Sequence, residues 1–103
     1  MEDFSIERAG IPNLDFTGDL IGKSGGPTPT IKIYRTKDLK YVGELRANQK
    51  YAQAKGGFDK PIDLINWFKS VNYGSLAPEV EDAIEDATKN DGGFKDVWNE
   101  HIN

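Results

Sequence analysis

Between residues 30 and 35 the chain alternates. Ile31 and Ile33 fall on one side of an extended backbone, Lys32 and Tyr34 on the other. A period of two residues marks a strand with one buried face. Residues 40–47 carry Tyr41, Val42 and Leu45 as a second strand, and Thr36-Lys37-Asp38-Leu39 supplies the turn, so 30–47 is predicted as an antiparallel hairpin. Its register depends on loop length. A loop of two or four residues puts Val42 on the Ile31/Ile33 face; a loop of three puts Tyr41 and Leu45 there, because a one-residue slip turns every side chain over. Upstream, 16–21 suit a short strand weakened by Gly18. Residues 22–30 are turn chemistry, rich in glycine and proline. Residues 1–15 read as an irregular arm with room for a short strand near 4–6. Residues 48–55 fit either a third strand or a helical turn, ended by Gly56-Gly57.

The period then lengthens. Leu64, Ile65, Phe68 and Val71 recur at helical spacing behind Pro61, predicting a helix over about 60–73. Val80, Ala83, Ile84 and Ala87 form a narrower stripe over about 77–90, with Pro78 and Glu79 in the first turn. Asn90-Asp91-Gly92-Gly93 reads as a stop, and a third helix covers about 94–101. Strands followed by helices predict an α+β fold: three or four antiparallel strands packed by two or three C-terminal helices. The expected core is Phe16, Leu20, Ile31, Ile33, Val42, Leu45, Ile62, Ile65, Phe68, Val71, Val80, Ile84, Val97 and Trp98. The 103 residues fit a single domain, 1–103, with one modest core and little room for a deep cofactor cleft.

Charge changes this picture more than composition does. The net of −4 hides a bipolar layout: residues 31–60 carry eight basic groups against three acids, while 61–103 carry three against nine. The absence of cysteine excludes disulfides, thiol catalysis and thiolate metal sites, and favours a cytoplasmic setting. No stretch approaches the roughly 20 apolar residues of a membrane span. The acidic start, with no apolar run behind it, predicts no signal peptide.

Three motifs invite chemistry. Gly22-Lys23-Ser24 resembles the end of a phosphate-binding loop, but Thr17 stands where the first glycine belongs, and Pro27 and Pro29 follow where a helix must begin. The lone histidine, His101, has no partner group fixed by spacing. Residues 86–92 do not match a calcium-loop pattern. No catalytic, cofactor or metal site is therefore expected, and the protein is expected not to be an enzyme. Two charged surfaces remain. Glu79, Glu81, Asp82, Glu85 and Asp86 crowd the second helix and suit a protein partner with a basic face, such as one whose phosphate contacts they imitate. Lys32, Tyr34, Arg35, Lys37, Lys40 and Arg46 on the hairpin suit nucleic acid, although such binders are usually basic overall. The expected function is a small binding or regulatory protein acting by charge complementarity through the acidic helix. Nucleic-acid binding by the hairpin, and an enzyme with an unrecognised site, are the alternatives. Opposite charge poles also permit self-association.

Overall fold

The alternation at Ile31 and Ile33 becomes the centre of a five-stranded antiparallel meander. In the computed structural model, which describes residues 1–25, 30–46, 52–72 and 74–102 (the last four through their backbone only), the strands are β1 (Glu2–Arg8), β2 (Ile11–Ser24), β3 (Thr30–Thr36), β4 (Tyr41–Arg46) and β5 (Gln53–Phe58). They lie in the order β1-β2-β3-β4-β5. Three helices follow: α1 (Pro61–Ser70), α2 (Pro78–Thr88) and α3 (Gly92–Ile102). The fold is α+β. The expectations for 26–29, for 48–51 and for the His101 side chain lie outside the described residues.

The strand count corrects the expected three or four, and the extra pairing comes from the supposed arm. Phe4 and Ile6 alternate with Ser5 and Glu7, and Leu14 and Phe16 alternate with Asp15 and Thr17. The two runs pair as Phe4↔Phe16 and Ile6↔Leu14 around Gly10, whose φ is 72°. Pro12 is tolerated because it sits near the start of its strand. At the β3–β4 turn the pairing Arg35↔Tyr41 and Ile31↔Leu45 selects the three-residue loop. Leu39 occupies its left-handed position at φ 64°. Tyr41 and Leu45 therefore join Ile31 and Ile33, and Val42 turns to the opposite face. β5 does not stop at Gly56-Gly57; Gly57 adopts φ 80° and the ladder shifts register there instead of ending.

The sheet curls, and each face has its own core. Against the helices lie Ile21, Ile31, Ile33 and Tyr41, packed on Leu64, Ile65, Phe68, Val80, Ala83, Ile84, Ala87 and Phe94. On the concave side Ile6, Tyr34, Val42, Ala52 and Ala54 pack with Phe4, Leu14 and Phe16. Two core expectations need correction. Leu20 is 41% exposed, because the register shift between Leu20 and Gly22 gives the buried place to Ile21. Tyr34, read as a polar-face residue, is buried in the concave core. Ile62, Val71, Val97 and Trp98 are half-buried.

Helix placement depends on two glycines. A Cβ on Gly43 would stand 2.6 Å from Leu64 of α1, and a Cβ on Gly22 would stand 2.5 Å from the Ala83 carbonyl of α2. The small stripe of α2, with Ala83 and Ala87, is what permits that approach. α2 also closes the outer edge of β2. Asn90 donates to the Ile21 carbonyl at 2.9 Å, Asp86 accepts the Lys23 amide at 3.0 Å, and Ser24 donates to the Glu79 carbonyl. An exposed strand edge is a template for unwanted pairing, and here side chains occupy it.

Candidate binding surfaces

α2 begins at Pro78 after Ala77, which offers no side-chain cap; Glu79 and Glu81 in the first turn complement the helix dipole instead. Val80, Ala83, Ile84 and Ala87 face the sheet and are fully buried. Glu81, Asp82 and Glu85 consequently point outward and are exposed. At a rise of about 1.5 Å per residue, Glu81 and Glu85 stand about 6 Å apart along the axis. Among the described residues these three carboxylates have no cationic partner. Glu79 and Asp86 are half-buried and differ from them, since Glu79 lends its carbonyl to Ser24 and Asp86 holds the Lys23 amide. The acidic helix thus divides into an outward row of three and a pair at its border with β2.

The six hairpin residues do not share one surface. Arg35 faces the helices. Its Nη1 donates to Asp91 at 2.7 Å, its guanidinium lies 4.9 Å over the Tyr41 ring, and its buried Nε has no partner among the described residues. Tyr34 donates its hydroxyl to Glu44 at 2.8 Å on the concave side, and Arg46 meets the other oxygen of Glu44 at 3.2 Å. Lys32 is half-buried opposite Glu44 in the ladder. Lys40 pairs with Asp59, and Lys37 is exposed in the turn.

Two buried carboxylates thus organise the β3–β4 ladder, one on each face, and each takes a tyrosine hydroxyl and an arginine. Asp91 receives Tyr41 at 2.8 Å, Arg35, and also the Phe94 amide at 3.1 Å, so it caps α3 while tying it to the sheet. The stretch read as a stop is therefore also a start. Burial, then the hydrogen bond to Asp91, pushes the Tyr41 hydroxyl up to about 12. Tyr34 is raised as well, by burial first and by Glu44 second. The sequence offers no spacing signal for Asp91, which lies 56 residues from Arg35. For Glu44 the signal was present but unread: it alternates with Tyr41, Gly43 and Leu45, and so shares the Tyr34 face once the register is known.

Gly22-Lys23-Ser24 lies inside β2, paired with Ile33, Lys32 and Ile31, and its glycine serves helix packing. A shallow cleft of about 400 Å³ runs between β2 and β5, lined by Leu14, Phe16, Val42 and Gly56 among others. Among the described residues no group of three or more His, Asp or Glu side chains is arranged to hold a metal ion, and no helix is long and apolar enough to cross a membrane. No protein-family model, curated protein or solved structure matches this chain.

Proposed function

We propose that the chain is a non-enzymatic binding module that docks its acidic helix on a basic surface of another protein, and so regulates or inhibits it. The observation that supports this reading is the row Glu81, Asp82 and Glu85. These are exposed charges without partners among the described residues, on a helix held in place by its buried stripe, by two hydrogen bonds to β2 and by a third from Asn90 just beyond its end. A row on a fixed helix loses little backbone freedom on binding, and its concentrated negative charge raises the rate of encounter with a basic face. The hairpin cations support nucleic-acid binding less well, because Arg35, Lys40 and Arg46 are each engaged by an acid of the same chain. A cytoplasmic setting belongs to the same proposal and draws on the cysteine-free composition.

The test is capture of partners from the native cell, comparing the wild type with Glu81→Gln/Asp82→Asn/Glu85→Gln. Asp86 is left intact because its carboxylate also holds β2. A specific protein retained by the wild type, released by raised salt and missing with the variant is the expected result. An identical set of captured proteins from both would end the acidic-helix reading.

A further inference from the structure

β2 belongs to two ladders in succession. Its first half pairs with β1, from Ile6↔Leu14 to Glu2↔Gly18; its second half pairs with β3, from Gly18↔Thr36 to Ser24↔Ile31. The hairpin 2–17 is therefore a ladder of its own, joined end-on to the rest. Among the described residues three hydrogen bonds fasten it to the remaining strands: Lys37 amide to Thr17 carbonyl at 2.9 Å, Ala52 amide to Glu7 carbonyl at 3.1 Å, and Arg8 Nη1 to Ala54 carbonyl at 3.2 Å. Its apolar side lies over the concave core. Phe4 and Phe16 rest on Tyr34 at ring separations of 4.7 and 5.0 Å, and this cluster is separate from the one the helices cover. The handover falls at Gly18, where a Cβ would stand 2.2 Å from the Arg35 carbonyl, and the register shift at Leu20/Gly22 follows at once.

We propose that the β1–β2 hairpin is a lid. It lifts as a unit about Gly18 while β3, β4 and the helices stay folded, and it uncovers the concave face with the Tyr34, Glu44 and Arg46 cluster. Two features make this opening less costly than unfolding. Among the described residues it breaks three hydrogen bonds, the exposed Met1 amine–Asp19 ion pair and one small apolar cluster, and it leaves the larger helix-side core untouched. Three observations carry it: the split ladder, the split core and the glycine at the junction.

Native-state amide exchange tests it on the wild type. The amides of Lys37 and Ala52, which donate to Thr17 and Glu7 of the hairpin and are freed when it lifts, should exchange at least about tenfold faster than those of Ile33 and Ile84, with little dependence on low urea. A second measurement uses Arg8→Cys/Ala52→Cys, whose positions are bridged partners in a chain with no other cysteine. The oxidised form should erase the gap, and the reduced form should restore or widen it. Equal rates and equal urea slopes for all four amides in the wild type would show that the hairpin opens only by global unfolding. A gap that survives oxidation would show that its exchange does not come from lifting at this edge. Either result overturns the proposal.

Discussion

At the scale of single residues, the cost of burying charge is met by sharing. The Asp91 side chain is 3% exposed, and its oxygens receive a guanidinium, a phenol and a backbone amide. Removing one partner from a buried pair costs more than the pair contributes, because the remaining charge keeps its lost hydration without compensation. Asp91→Ala would strand Arg35 and the Tyr41 hydroxyl and leave α3 uncapped. Arg35 is 34% exposed and partly rehydrates, so we expect a loss of about 2–4 kcal/mol, read as a lower urea midpoint with an unchanged slope. A loss under about 1 kcal/mol would mean that Asp91 acts only as an ordinary surface cap.

At the scale of elements, the helices and the central hairpin were legible because their apolar residues recur three or four times in phase. β1 was legible only as room for a short strand near 4–6, since two apolar residues, Phe4 and Ile6, make too short a run to outweigh the turn residues behind them. Leu20 was misplaced because a register shift is invisible to a periodicity argument. The acidic row on α2 was legible, as it is the complement of the Val80, Ala83, Ile84 and Ala87 stripe. The engagement of the hairpin cations was not, because Asp91 and Asp59 reach them only through the fold. Gly22 shows how local reading misleads: it looked like part of a phosphate loop, and it is the floor on which α2 rests. Gly22→Ala should cost about 1–3 kcal/mol in urea melts, since the new methyl meets backbone that cannot yield. Gly92→Ala, at the start of α3 with nothing within 4 Å of the added Cβ, should be neutral or slightly stabilising. If both variants lose the same amount, close packing of α2 on β2 is not the cause.

At the scale of the whole molecule, three of the eight basic groups in residues 31–60 are engaged by acids among the described residues. Arg35 meets Asp91, Lys40 meets Asp59 and Arg46 meets Glu44. The same internal pairing makes global stability sensitive to alkali. Tyr41 holds its proton up to about 12 in the folded chain, against 10.0 for an ordinary tyrosine, and Tyr34 is shifted in the same direction. Above pH 10 the unfolded chain therefore binds fewer protons than the folded one, and the balance moves toward unfolding. The contribution of these hydroxyls is complete below pH 10 and is lost as pH rises toward 12. Urea midpoints should be level with respect to these groups from pH 8 to about 9.5 and then fall steadily. Tyr41→Phe should start from a lower plateau, because Asp91 loses a donor, and should fall less steeply, because one of the two shifted protons is gone. A variant that kept the wild-type slope above pH 10 would remove Tyr41 from the account and leave the alkaline loss to Tyr34 on the concave face.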